Sequence, residues 1–206
     1  MSTAVLVTSI AVFALLVGEA RGPRWLPWIA KPCASLGFVA AAWSVGPHDA
    51  AGWTVLVGLW LCLVGDVCLL SRAKGWFLAG LGAFFAGHVA YAAAFVQRGV
   101  HVPIALVVAI ALALPAIVVW RWLRAHVEPA MRGAVAAYIV AITLMVACAI
   151  ASAGPRAEWL PIVGAVAFYL SDLSVARDVF VHRSFVNRLW GLPLYYAAQL
   201  CLAATV

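Results

Sequence analysis

Charge is what this sequence has least of. Only 13 lysines and arginines and 7 aspartates and glutamates occur in 206 residues. A soluble domain draws about a quarter of its residues from the charged types, so the surface of a globule this size would go uncovered. With 67% of the residues hydrophobic and a mean hydropathy of +1.08, the solvent is lipid. A spanning helix takes roughly 17–25 residues. Eight spans with short connections therefore use nearly the whole chain, and the expectation is a single integral membrane domain over residues 1–206: an all-α, polytopic bundle of about eight transmembrane helices. The first apolar run has no basic leader and no convincing cleavage site, which reads as a true span rather than a signal peptide.

Several chemistries are missing as well. No GxSxG, no HExxH and no glycine-rich phosphate loop followed by Lys-Ser/Thr occurs, which removes the usual signatures of serine hydrolases, zinc proteases and nucleotide-binding loops. The five cysteines, Cys33, Cys62, Cys68, Cys148 and Cys201, are odd in number, lack CxxC spacing and all lie in apolar runs. They read as buried free thiols behaving as small hydrophobes. His48, His101, His126 and His182 lie in or beside loops and only His88 is deep, so an intramembrane zinc site lacks ligands. Neither a metal nor an organic cofactor is expected.

The apolar runs place helices at about Thr3–Val17, Ile29–Val45, Ala51–Leu70, Trp76–Val96, Val102–Trp120, Met131–Ser152, Trp159–Phe180 and Leu189–Thr205, parted by breakers such as Gly46-Pro47, Gly99 and Gly154-Pro155. The net charge of +6 is no nucleic-acid signal, because the cations lie in short clusters flanking apolar runs. Eleven of the 13 fall in or beside the first, third, fifth and seventh connections; only Arg98 and Arg156 fall in the others. The positive-inside rule then puts the odd connections in the cytoplasm and both termini outside it, which in a bacterial inner membrane means the periplasm. Tryptophans such as Trp25, Trp76, Trp120 and Trp159 near the span ends fit the interfacial belts.

Against this background two carboxylates stand out. A carboxylate well inside a span costs about 2.5–3.5 kcal/mol or more and persists only against a cavity or a partner. Asp66 and Asp172 both sit on cytoplasm-directed helices, roughly 6–8 Å and roughly 12–13 Å from the ends of their spans at 1.5 Å per residue. GLWLCLVGD (Gly58–Asp66) and GAVAFYLSD (Gly164–Asp172) share a glycine eight residues before the acid, and in the next helix of each an aromatic pair precedes a polar residue: Phe84-Phe85 before His88, Tyr195-Tyr196 before Gln199. This predicts a parallel four-plus-four repeat about an axis along the membrane normal, with the glycines allowing close helix approach on the faces that bear the acids.

For each polar group a plain structural role stands beside the functional one. Asp66 and Asp172 read either as buried carboxylates bonded to Tyr, Gln or Lys, or as a working pair. His88, Tyr91, Tyr196 and Gln199 suit ordinary interhelical hydrogen bonds as well as a substrate site. Lys31, before Pro32 at the boundary of the second helix, either snorkels to the headgroups or meets a phosphate. Asp178 beside Arg177 reads as a solvated ion pair, and Glu19, Asp49, Glu128 and Glu158 as boundary charges.

Taken in order, Lys31-Pro32, LVGDVCLL (Leu63–Leu70), GAFFAGHVAYAAAF (Gly82–Phe95), GAVAFYLSDLSVA (Gly164–Ala176) and LYYAAQL (Leu194–Leu200) resemble the signature blocks of the YhhN-like lysoplasmalogenase family of membrane hydrolases. The resemblance implies an enzyme that cleaves the vinyl ether bond of lysoplasmalogens, with a lysophospholipid as substrate, membrane lipids around it and no nucleic-acid partner. It implies Asp66 and Asp172 as the catalytic acids, and Lys31, His88, Tyr91, Ser171, Tyr196 and Gln199 as binding or supporting residues. In the matching chemistry, one carboxyl group protonates the β-carbon and the other serves as base or charge partner. Asp172 is taken as the acid and Asp66 as its partner, although nothing in the sequence sets that order. The alternative from another class is a small proton-coupled carrier, since intramembrane acids and parallel repeats also occur in transporters. Headgroup preference and oligomeric state are not legible in the sequence.

Overall fold

A computed structural model describes residues 1–71, 73–153 and 159–206. Eight α-helices carry it: α1 (Ser2–Ala20), α2 (Leu26–Val45), α3 (Ala50–Cys68), α4 (Lys74–Gln97), α5 (Val102–Leu123), α6 (Arg132–Ser152), α7 (Trp159–Ala176) and α8 (Phe185–Ala203). A short 3₁₀ turn, Pro129–Met131, leads into α6, and a π-helical turn, Arg177–Val181, extends α7. No strand occurs among the described residues. Among the described residues, seven helices are long and apolar enough to cross a membrane.

The eighth helix falls short because its polarity is turned inward: Asn187, Tyr195, Tyr196 and Gln199 are all buried. It packs on α7, α2, α1 and α3, so its polar face meets protein rather than lipid. α5 is the opposite case, the most apolar span, with Leu123 as its only buried residue. It packs on α6 and otherwise offers its side chains outward, as a lipid-facing helix should when lipid tails are as apolar as leucine.

The breakers act as expected at the ends. Gly46 and Gly99 take left-handed backbone (φ +86° and +95°) that other residues rarely adopt. Asp49, expected as a plain boundary charge, caps α3 by accepting from the Gly52 amide at 2.7 Å. Arg72, Gly154-Pro155, Arg156 and Glu158 lie outside the described residues.

Packing follows the pattern that a four-plus-four repeat requires. α3 pairs with α4 as α7 pairs with α8; α1 pairs with α2 as α5 with α6; α2 lies against α8 as α6 lies against α4. The departures are at α8, which also packs on α1 and α3 where α4 shows no packing of like extent on α5 or α7. Close approach depends on glycine at equivalent places. A Cβ on Gly58 would stand 2.5 Å from the Tyr91 ring of α4, and one on Gly164 would stand 2.9 Å from Leu202 of α8. Both distances are shorter than carbon atoms tolerate, so the α3–α4 and α7–α8 seams close only on a bare backbone.

The cysteine expectation needs correction. All five are free, but Cys33 is exposed and Cys148 and Cys201 are half-buried; only Cys62 and Cys68 are interior. An apolar run in a membrane has a lipid-facing side, so membership of the run does not imply burial in protein.

Candidate functional site

Two polar centres sit in the half of the bundle where the Arg-rich connections gather, and each is assembled by the same rule. Asp66 on α3 is reached from α2, the second helix of its own half, and from α8, the fourth helix of the other half. Lys31 Nζ lies 3.1 Å from Oδ1. The hydroxyls of Ser35 and Tyr195 each donate to Oδ2 at 2.7 Å. Tyr196 stands just behind, its hydroxyl 3.3 Å from Ser35 Oγ and donating to the Lys31 carbonyl at 3.3 Å. Asp172 on α7 is reached from α6, the second helix of its half, and from α4, the fourth of the other. Tyr138 donates to Oδ2 at 2.7 Å, and His88 Nε2 lies 3.3 Å from that oxygen and 2.9 Å from the Tyr138 hydroxyl.

The partners make the two centres unlike. Asp66 is 2% exposed, and both of its oxygens are taken, one by a cation. The Asp172 side chain is 18% exposed; among the described residues it has no lysine or arginine partner, and its Oδ1 has no protein partner at all. Tyr138 has one proton, and it goes to Asp172. His88 must therefore present Nε2–H to this cluster, and its Nδ1 is buried without a hydrogen-bond partner among the described residues.

No hydrogen bond joins the two carboxyl groups. Between them stands an aromatic wall: the Tyr195 ring lies 5.2 Å from that of Phe168, and Phe168 lies 4.6 Å from His88, both edge to face. Phe84 closes it, 5.9 Å from Tyr195 and 6.3 Å from Phe168. Edge-to-face rings prefer these separations, so the wall is a rigid spacer. Both acids nevertheless line one cavity of about 1470 Å³, together with Lys31, Tyr138, Ser171 and Tyr195. Residues of α4, α5 and α6, among them Phe77, Leu81, Val119, Val135, Ile139 and Ile142, form an apolar side to the same space.

The remaining expected residues separate into those that touch this site and those that do not. Tyr91 donates to Gln199 Oε1 at 2.8 Å in a fully buried contact between α4 and α8, with Cys62 Sγ at 3.7 Å. This pair holds helices together and does not line the cavity. Ser171 does line it, but its hydroxyl is spent on the Phe168 carbonyl at 2.7 Å. Lys31 departs from the snorkelling expectation: Asp66 draws it inward, and its side chain is only 12% exposed. Asp178 pairs with Arg188 at 3.1 Å rather than with its neighbour Arg177, which donates to Asn187 at 2.9 Å. Successive residues on a helical turn point apart, so adjacency in sequence misled. Glu19, expected as a bland boundary charge, pairs with Arg188 from α1.

The matching family model is described as the YhhN family and covers residues 26–206. The chain belongs to the YhhN family. It is 31% identical over 180 residues to the rat protein named Lysoplasmalogenase TMEM86B, an alignment covering 87% of this chain and 72% of the rat one. Against human Lysoplasmalogenase TMEM86A the identity is 29% over 187 residues, 88% of this chain and 73% of the human one. The Escherichia coli O157:H7 "Uncharacterized membrane protein YhhN" is 33% identical over 113 residues, 53% of each chain. No solved structure matches.

Sequence reasoning passed over three contributors in this YhhN-family chain. Tyr138 lies a full helix away from any motif, Ser35 stands three residues beyond Lys31-Pro32, and Phe168 is an apolar member of the GAVAFYLSD block with no polar group to mark it. The signal available for Tyr138 was a lone tyrosine within the long apolar run of α6. For Ser35 it was a position one turn after Lys31.

Proposed function

We propose that this protein hydrolyses the vinyl ether bond of lysoplasmalogens, releasing a fatty aldehyde and the glycerophospho-headgroup, with Asp172 as the proton donor. The observation that carries this reading is the orientation of the Asp172 carboxyl group. Tyr138 and His88 both address Oδ2. When the group holds a proton, that proton is directed to the unpartnered Oδ1, the oxygen left to face the cavity. The two named lysoplasmalogenase relatives, aligned across most of the chain, supply the substrate class.

The reaction needs few parts. The Asp172 proton passes to the β-carbon of the vinyl ether, leaving an oxocarbenium ion and an aspartate carboxylate beside it. Water attacks the cationic carbon and gives its proton to that carboxylate, and the hemiacetal collapses to aldehyde and alcohol. A carboxylate close to a developing cation stabilises the transition state more than the neutral substrate. Tyr138 and His88 keep the carboxyl group turned toward the substrate, which is the positioning on which proton transfer depends.

Asp66 has a different task. With Lys31, Ser35 and Tyr195 occupying its oxygens, it is an ion-paired wall of the cavity that fixes Tyr195 and, through it, the aromatic spacer. The positive-inside bias supports a cavity mouth on the cytoplasmic side, from which a lysolipid enters out of the inner leaflet with its chain along the apolar side formed by α4, α5 and α6.

The test is aldehyde release from an alkenyl lysophospholipid by purified protein in detergent. Wild type turns over and Asp172→Asn, still folded, falls by at least about 10²-fold, the lower end of what general acid catalysis contributes. A folded Asp172→Asn protein that keeps a tenth of the wild-type rate would return Asp172 to a structural role.

A further inference from the structure

Five cations line the cavity, Arg24, Lys31, Lys74, Arg183 and Arg188, and so do five carboxylates, Glu19, Asp66, Glu128, Asp172 and Asp178. Three of the cations are matched. Lys31 pairs with Asp66 at 3.1 Å, Lys74 with Glu128 at 2.5 Å, and Arg188 with both Asp178 and Glu19. What remains is unbalanced in an ordered way. Among the described residues Arg24 and Arg183, exposed at the rim, have no ion pair or hydrogen bond from their side chains, and Asp172 is the one cavity carboxylate without a lysine or arginine.

The geometry points to Arg24 and Arg183 as the site that takes the phosphate of the lysolipid, in place of Lys31. This inference rests on the proposed vinyl ether chemistry for the position of the reacting bond. Arg24 lies in the connection between α1 and α2, and Arg183 in the connection between the π turn and α8. Both connections meet at the same end of the bundle, so the two guanidinium groups border one mouth. Guanidinium is the side chain best shaped to hold a phosphate by paired hydrogen bonds, and Arg188 between α1 and α8 is already occupied by two carboxylates.

The run of the chain agrees with one ligand reaching from Arg183 to Asp172. From Asp172 to Val181 lie four residues of α-helix and five of a π turn, which rises less per residue, about 12 Å in all. With the connection that follows turning across the mouth, an arginine stem of about 6 Å can reach back from Arg183, leaving about 6–12 Å to the acid. Between the phosphorus of a lysoplasmalogen and the β-carbon of its vinyl ether run seven bonds, about 8–9 Å when extended. A phosphate held at the rim therefore sets the vinyl ether at the depth of Asp172. The charges correspond in sign as well: two arginines meet the phosphate anion, and the lone carboxylate meets the cation that forms on protonation.

The experiment compares two vinyl ethers, an alkenyl lysophospholipid and the phosphate-free alkenylglycerol, in non-ionic detergent without added phospholipid. The quantity read is the ratio of their kcat/KM values. Arg24→Gln/Arg183→Gln lowers this ratio roughly 10–100-fold, the scale of losing two charge-assisted phosphate contacts at an exposed rim, mainly through KM for the phospholipid; Arg24→Lys/Arg183→Lys restores part of it. Arg121→Gln/Arg124→Gln removes the same charge from exposed arginines outside the cavity and leaves the ratio as in wild type.

A ratio unchanged in the Arg24/Arg183 double variant, whether or not both rates fall, overturns the inference. Should wild type turn over neither compound, the vinyl ether reading fails by itself, and binding of the saturated 1-alkyl lysophospholipid decides the phosphate site. Binding weakened tenfold or more by Arg24→Gln/Arg183→Gln supports it; equal binding overturns it.

Discussion

Replacing Lys31 by methionine tests whether the Asp66 centre is a buried ion pair. The Lys31 and Asp66 side chains are 12% and 3% exposed and meet at 3.1 Å, so little water screens them. Lys31→Met keeps the apolar stem and removes the cation. It leaves the carboxylate deep in the bundle with only the Ser35 and Tyr195 hydroxyls. Stranding one member of a buried pair costs about 3–5 kcal/mol; two retained hydroxyl bonds of about 2.7 Å place this case at the low end, about 3 kcal/mol.

Asp66→Asn is milder, about 1–2 kcal/mol, because the amide still accepts from one hydroxyl and the released lysine, at the first turns of α2, can extend to the mouth and regain water. The double variant Lys31→Met/Asp66→Asn removes both charges and recovers about 2 kcal/mol relative to the sum of the singles, a coupling typical of groups in direct contact. The measurement is thermal or denaturant unfolding of the purified proteins in one detergent, followed by tryptophan fluorescence and checked by gel filtration. An Asp66→Asn protein less stable than Lys31→Met, or a Lys31→Met protein as stable as wild type, would refute the reasoning. Either result would mean that Lys31 spends its time at the headgroups and the carboxylate does not depend on it.

Two further predictions follow from the same geometry. Tyr138→Phe keeps the ring beside His88, at a centroid distance of 5.0 Å, and removes the donor to Asp172, so kcat falls by roughly tenfold with KM and the unfolding midpoint little changed; steady-state kinetics with an alkenyl lysophospholipid decides it, and an unchanged kcat removes Tyr138 from the site. A reporter fused after Val206 is active only outside the cytoplasm and one inserted beside Arg124 only inside, as the distribution of cations requires; the reverse pattern would move the cavity mouth to the other leaflet.

Much of the fold follows from composition and pattern alone. Lipid cannot hydrogen-bond a backbone, so long apolar runs must become helices, and glycine and proline mark where they end. That logic reaches all eight helices, the left-handed turns at Gly46 and Gly99, and the close seams at Gly58 and Gly164. The intramembrane cost of charge likewise marks Asp66 and Asp172 as the positions that require partners, whatever those partners turn out to be. The internal repeat is legible for the same reason, since its acids and glycines recur at equal spacing.

Partner choice was decided in three dimensions. Tyr138 and Ser35 are isolated hydroxyls in apolar runs, each compatible with a lipid-facing snorkel, a back-bond to its own helix or a site, and only the packing of α6 on α7 and of α2 on α3 turns them onto the acids. Two carboxylates that look equivalent along the chain become unlike because α2 brings a lysine to one while α6 and α4 bring a tyrosine and a histidine to the other. Lys31 and Asp178 show the limit most directly. A one-dimensional reading pairs a charge with the boundary or with its neighbour, whereas helix packing pairs it with whichever opposite charge shares its depth and face.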